Sequence, residues 1–463
     1  MEVNNYLSKK KEEIIVQQEQ EQSKVIEIFL LTVTHFFSGF KHLFIGINDP
    51  RQQHKCNYSL VSLMFVGVLM FITRLGSRRQ INHLLRENGP GEMKFQELFQ
   101  AESLPHGDTL NELFKHIEVA EVQQVVTSMT TTLIHKKILH PYRLFGYYYT
   151  IAVDGTGMLT FHQRHCAHCL TRKHKNGTLY YHHVLEAKLV TQTGFAFSLM
   201  TEFIENPTLT MTAQDCELKA FYRLSERMKK RLYRLPICLL LDGLFAGGPT
   251  FSLCEQNGWK YIVVLTEDDL PTINQEFDAL TKISPENSLQ IIKDNTPQIM
   301  QDFRWVADIA YTHSNKVEHS ISVLQCLENK TNNKAEIILS RNKWITNLQL
   351  TKNRVAIIAN EGGRLRWKIE NEGFNIQKNG GFELEHAYSK DINASKVFYF
   401  LLQIAHIIFQ LMQKGSLFKN AFPKGFGSYK NLAFRLLEAW RNLCSSISSL
   451  LDSPRFSIRF DSS

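Results

Sequence analysis

The sequence predicts an α/β fold with a helical N-terminal region and a β-rich insertion, and three observations lead there. Two apolar runs, YYYTIAVDG at 147–155 and LPICLLLDG at 235–243, read as buried strands that each end in Asp-Gly. Between them lie two further β-like runs, YYHHVLEAKLV and FAFSLMTEFI, joined by a turn at Gly194, and then a charged helical segment over about 214–233. Upstream of residue 146 the apolar residues recur with helical rather than alternating spacing.

Taken in order, residues 1–22 are rich in Lys, Glu and Gln and read as a flexible tail or a solvated helix. Residues 23–145 read as helical, with Thr109 and Glu112 at capping-box spacing after Pro105 and Gly107. Residues 146–284 read as a three-strand meander followed by strand, helix and strand: the segment to 243, a helix near 250–256 and the run WKYIVVLT. Residues 285–350 alternate short β-like runs (FRWVADIAY, AEIILSR, KWITNLQL) with Asn/Lys turns, the β-rich insertion. Residues 351–452 read as three helices, about 360–377, 394–414 and 429–451, and 453–463 as a loose tail.

Composition is that of an ordinary globular protein: of 463 residues, 43% are hydrophobic and 21% charged, enough for large cores. The formal net charge of +8 fits a nucleic-acid partner without demanding one. The eight cysteines are scattered apart from one C-x-x-C, and the charged, Gln-rich N-terminus lacks the pattern of a secretory signal, so a reducing cytoplasm is expected. The uncharged stretch 56–73 is at the lower length limit of a membrane span but contains Asn57, Ser59 and Ser62, and reads as a buried core helix. The apolar run 394–413 has Gln403, His406, Gln410 and Gln413 along one stripe and reads as amphipathic. No membrane partner is expected.

The carboxylates carry the chemical information. Asp154 and Asp242 each close an apolar strand, where open α/β sheets present residues to the ligand crevice. Asp-Gly is also a common turn, so either one alone is weak. A third acid lies in the helix GRLRWKIENEGFNIQKNG, where Arg366, Trp367 and Glu370 share one side. Taken alone, Arg366 and Glu370 would be a surface ion pair.

Together these features resemble insertion-sequence transposases of the DDE type with an RNase-H-like catalytic domain, the branch with a Y-x2-R-x3-E-x6-K signature on its last catalytic helix. Residues 366–370 reproduce the R-W-x-I-E core, IAVDGTG resembles the first-aspartate strand, and ICLLLDGLFAGGPTFSLCEQNGWKYIVVL resembles the second-aspartate strand with its following helix and strand. The branch also places a β-rich insertion between the second aspartate and the glutamate. The resemblance covers roughly residues 100–415, and the N-terminal hundred residues contribute little to it. Two positions depart from the signature: Gly363 stands where the tyrosine is expected, and the lysine, Lys378, comes one residue late.

The resemblance implies an RNase-H-like mixed sheet flanked by helices and a transposase that cleaves and joins DNA with two Mg2+ ions, Mn2+ being an accepted substitute. Asp154, Asp242 and Glu370 would be both catalytic and metal-binding, with Asp154 bridging the ions. Glu372 is the rival for the third position. Such enzymes act as homodimers on paired double-stranded terminal inverted repeats and join them to target DNA, so a cytoplasmic, nucleoid-associated protein is implied. The alternative is a catalytically silent DNA-binding derivative. Arg366 reads either as a phosphate contact or as the partner that positions Glu370, and Lys378 as a second phosphate contact.

One further cluster stands apart. HQRHCAHCLTRKHKNGTLYYHH contains Cys166 and Cys169, half of a zinc knuckle, with His174, His182 or His183 as the obvious second half. The same loop offers Arg172 and Lys173, beside Arg164, His174 and Lys175, as DNA-backbone contacts. The run Arg227–Arg231, with Arg234 beyond it, closes a helix, where cations are favoured in any case. No G-x-S-x-G, P-loop or dinucleotide fingerprint occurs, which leaves nucleotide hydrolysis and hydride transfer without support.

Overall fold

The computed structural model describes the chain except residues 1, 87–88, 176, 207–213, 294–298, 314–315, 332–336, 444–456 and 461–463, and except the side chains of 2–15, 293 and 331. Seven helices come first: α1 (Glu2–Phe37), α2 (Phe40–Leu43), α3 (Leu60–Ile72), α4 (Arg78–Leu84), α5 (Pro90–Phe99), α6 (Gly107–Phe114) and α7 (Val119–His135). The strands β1 (Tyr149–Phe161), β2 (Leu170–His174), β3 (Gly177–Val190) and β4 (Ala196–Ile204) follow, then α8 (Glu217–Arg231), β5 (Ile237–Leu241), α9 (Gly248–Asn257), β6 (Lys260–Val264) and α10 (Pro271–Ile283). A meander of β7 (Ser288–Lys293), β8 (Ile299–Thr312), β9 (Glu318–Thr331) and β10 (Ile337–Thr346) leads to α11 (Val355–Asn360), α12 (Asn375–Asn379), α13 (Ile392–Lys414), α14 (Ser416–Ala421) and α15 (Tyr429–Asn442).

The predicted α/β class holds: all ten strands form one mixed sheet, ordered β2-β3-β1-β5-β6-β10-β9-β8-β7, with β4 also on β3. β1 runs antiparallel to β3 but parallel to β5, and β5 is parallel to β6. That is the expected meander followed by strand–helix–strand alternation. The residues expected as a β-rich insertion extend the same sheet, because β10 pairs antiparallel with β6 and carries β9, β8 and β7 outward. Five elements have no counterpart among the named runs, β2, β7, β9, α10 and α14. The segments 335–341 and 343–350, read as two strands, supply the single strand β10.

Alternate residues of a strand face opposite sides of the sheet. Ile151, Val153, Leu239, Leu241 and Val263 pack under α8, α9 and α10, whereas Ala152, Leu240 and Ile262 pack under α11 and the segment 363–374. A third core joins α1, α3, α7, α13 and α15 to β3 and β4. α3 is buried throughout in that core, as the core-helix reading of 56–73 expects. Among the described residues one helix, α13, is long and apolar enough to cross a membrane, and most of it is buried inside the protein.

The polar stripe of α13 differs from its amphipathic reading. Gln403, His406 and Gln410 are buried, not solvated. Lys188 Nζ donates to Gln403 Oε1 at 2.8 Å, Gln377 Nε2 lies 3.0 Å from His406 Nδ1, and Gln410 Oε1 accepts from the Ala196 amide at 2.8 Å. The stripe therefore satisfies buried polar groups of the sheet, as buried groups require.

Both expected tails are ordered where described. Residues 2–22 form the first turns of α1, with 16–20 exposed, the solvated-helix alternative rather than the flexible tail. At the C-terminus Ile458 is buried and Phe460 stacks on Phe36, because two apolar side chains in a short tail gain by burial. The capping box does not form: α6 starts at Gly107, with His106 Nδ1 accepting from the Asp108 amide, and Glu112 pairs with Lys115.

Candidate active site

β1 does not stop at Asp154, as its Asp-Gly suggested. Antiparallel pairing to β3 runs on to Phe161, with Asp154 opposite Glu186. What stops is the parallel pairing with β5, which covers Tyr149 to Ala152 of β1. Asp154 thus stands where β1 and β5 part, and Asp242 follows the last residue of β5. The two aspartates flank one crevice at the carboxyl ends of neighbouring parallel strands, the position where such sheets bind ligands.

Gly155 owes its place to close approach rather than to a turn. A Cβ there would land on the Glu217 carboxylate and 2.7 Å from His183 Nε2. His183 Nε2 and Glu217 Oε1 are 2.9 Å apart, so this pair closes over the strand beside Asp154. Asp242 Oδ1 accepts from the Leu244 amide at 3.1 Å and caps a single 3-10 turn, Gly243–Phe245.

The third acid arrives on an irregular helix. The segment expected as one helix over about 360–377 is instead α11, a 3-10 turn Gly363–Arg366, a π-helical segment Ile369–Phe374, and α12. The break falls at Gly362-Gly363, where the chain presses against the sheet: a Cβ on Gly363 would sit 2.5 Å from the Trp344 ring. A tyrosine at this position would therefore have no room. The π-helical segment places one residue more before Lys378 than an α-helical turn would.

Arg366 joins the acids. Its Nη1 lies 3.1 Å from Asp154 Oδ2 and 3.0 Å from Glu370 Oε1. Arg366 is buried, at 5% exposure. Of its two readings the geometry favours the positioning partner over the phosphate contact, since it is committed to two carboxylates. Its guanidinium also lies 4.2 Å from the ring of Trp367, which is half-exposed. Glu372 turns away: it pairs with Lys368 at 3.0 Å and lies by Gly194.

Burial pushes the Asp154 carboxyl up to about 7, Arg366 opposes it, and the neighbouring Glu370 and Asp242 raise it further. Burial likewise raises Asp242, with Arg366 opposing, and Glu217 and Asp269 add like charge. Asp154 and Glu370 share one guanidinium and Asp242 feels its charge, three hard-oxygen groups of the kind that bind divalent cations.

The remaining sequence candidates lie elsewhere. Lys378 pairs with Glu385 at 2.7 Å on α12. Arg172 and Lys173 are exposed on β2, with Arg172 over the Tyr181 ring at 5.6 Å. Cys166 and Cys169 meet His182 and also His165, while His183 belongs to Glu217 and His174 lines a separate surface hollow with His162. Sequence reasoning passed over Glu217, Asp269 and the His183 pairing. Glu217 looked like an ordinary first-turn helix acid, and only its contact beside Asp154 distinguishes it.

A family model described as DDE_Tnp_1-associated matches residues 41–129, which span α2 to α7. No curated protein matches the chain. The match supports a transposase-related role and links the chain to DDE-type transposases. Most of it, residues 41–100, falls on the region expected to contribute little to the resemblance.

Proposed function

We propose that the chain is a DNA transposase in which Asp154, Asp242 and Glu370 serve cation-dependent cleavage and joining at the ends of its own element. The observation that carries this reading is the Arg366 guanidinium, which draws together Glu370 and an aspartate 212 residues away from the arginine, at the mouth of two parallel strands. The family match over 41–129 supports it from an independent part of the chain.

The residues fit Mg2+, with Mn2+ as substitute, because all three donors are carboxylates and a single buried cation opposes them. Two such ions supply activation of a water or 3′-hydroxyl and stabilisation of the leaving oxygen of an in-line displacement. Asp154 feels the charge of both other acids and would be the one to bridge the ions. Arg366 fixes the Asp154 and Glu370 carboxylates at their relative positions and stays out of solvent. Trp367 offers an aromatic face beside the acids to an unstacked base. Arg172, Lys173 and Lys378 are candidates for DNA-backbone contact, acting through charge without reading sequence. Two copies on paired inverted repeats, in the cytoplasm at the nucleoid, complete the reading.

The test is cleavage of the terminal repeats that flank the coding region, with purified protein and Mg2+. Nicking at the element ends is expected, and Asp154→Ala or Asp242→Ala should reduce it on the order of a thousandfold while leaving melting unchanged. Ends that are bound but left uncut would indicate a silent DNA-binding derivative. Equal nicking by Asp242→Ala would remove the acids from the reaction.

A further inference from the structure

We propose a structural zinc site formed by His165, Cys166, Cys169 and His182, separate from the carboxylate site and independent of the transposase reading. The four donor atoms lie within 4.8 Å of one another. Cys166 Sγ and Cys169 Sγ are 3.3 Å apart, and His165 Nδ1 is 3.3 Å from Cys169 Sγ. His182 Nε2 is 3.5 Å from Cys166 Sγ and 3.6 Å from Cys169 Sγ. Zinc with Zn–S near 2.3 Å and Zn–N near 2.0 Å requires ligand separations of roughly 3.3–3.8 Å around a tetrahedron. The four printed separations, 3.3–3.6 Å, fall in that range, and the set spreads no further than 4.8 Å, so small side-chain adjustments complete the tetrahedron. Two sulfurs and two imidazoles form a closed structural set, with no position left for water, and their softness selects zinc over the hard cations suited to the carboxylates.

The fold explains how the ligands meet. His165, Cys166 and Cys169 come from the loop between β1 and β2, and His182 comes from β3. Register alone decides which histidine joins them: His182 and His183 are neighbours in a strand and point to opposite faces. Cys169 and His182 are buried, and Cys166 is half-buried. Asn206, beyond β4, supports the loop. Its Nδ2 donates to the Cys169 carbonyl at 3.0 Å, its amide donates to the His168 carbonyl at 3.3 Å, and its own carbonyl lies 3.0 Å from His168 Nδ1. An ion here would fasten the far end of β1 to β3 one residue before His183, which closes over Gly155 with Glu217. Zinc would thereby fix the strand pair that presents Asp154.

The experiment is metal analysis of the full chain purified without chelator, alongside cobalt(II) titration of the metal-stripped protein. About one zinc per chain is expected, together with a cobalt spectrum showing tetrahedral coordination and thiolate charge transfer. Cys169→Ser and His182→Ala should lose the zinc, whereas His174→Ala, His183→Ala and Asp154→Ala should keep it. Asn206→Ala should weaken binding by about 10- to 100-fold as a supporting residue. Folded wild-type chain that holds no zinc and gives no tetrahedral cobalt spectrum would overturn the proposal. So would zinc retained by the Cys169→Ser/His182→Ala double variant.

Discussion

At Gly363 the smallest side chain stands where the resembling family has one of the largest. The Trp344 ring already fills the space, so even Gly363→Ala over-packs the joint and should cost about 1–3 kcal/mol in urea unfolding. Gly363→Tyr, which restores the signature, should be worse rather than better. A tyrosine variant as stable as the parent would show that the chain can move off the sheet there. Arg366 gives a second residue-scale outcome. Arg366→Lys keeps the charge but replaces a planar fork with a single ammonium, and cleavage should fall about tenfold or more even if the fold is retained. Unchanged cleavage would mean that charge alone suffices. Several of these residues were legible in advance. Asp154 and Asp242 follow apolar runs, and R-W-x-I-E is a compact pattern. Glu217 and His183 were not, because an acid in a first helical turn and a histidine in a strand look ordinary until the sheet brings them together.

At the scale of elements, the helix bearing Glu370 is the irregular one. It changes from 3-10 to π to α within seventeen residues, Gly363 to Asn379. If the π turn merely absorbs one extra residue, deleting exposed Asn371 should regularise the helix and bring the lysine to the usual spacing. The expected result is a melting temperature equal to or above the parent's and retained cleavage. Collapse of the fold would show that the wider turn is itself required. Strands with long apolar runs were legible, and so were the helices α8 and α13. β2 and α10 were missed for different reasons. β2 is five residues of largely charged sequence that form a strand only because β3 is long enough to template them. α10 has an amphipathic spacing, Ile273, Phe277 and Leu280, that the reading passed over because it buries only the first two.

At the scale of the molecule, the buried polar contacts between α13, α12 and β3 make stability depend on pH. Burial holds the His406 imidazole well below its ordinary value, and nearby Lys188 and Arg74 add to this. Above about pH 6.5 both folded and unfolded chains carry it neutral, so it contributes no slope. Below that, the unfolded chain takes a proton that the folded chain refuses, and stability should fall by up to about 1.4 kcal/mol per pH unit. Denaturant midpoints at pH 7 and pH 5 would show it, and His406→Gln should flatten the difference. Equal midpoints in the parent would contradict it. The broad plan, helices followed by a mixed sheet with added strands, was legible from the change in residue texture near 146. Which helices share a core with which strands was not, since that depends on contacts far apart in sequence. The family-matched segment illustrates the consequence. Its helices α3 and α7 rest on α13, which begins 320 residues after the end of α3 and 257 after the end of α7. During synthesis the nascent chain must therefore carry a bare, oily helix out of the ribosome and wait on the order of tens of seconds for its partner. Residues 41–129 expressed alone should aggregate, and a soluble, cooperatively melting fragment would refute that dependence. How well α3 is shielded until α13 emerges would then set how much chain matures.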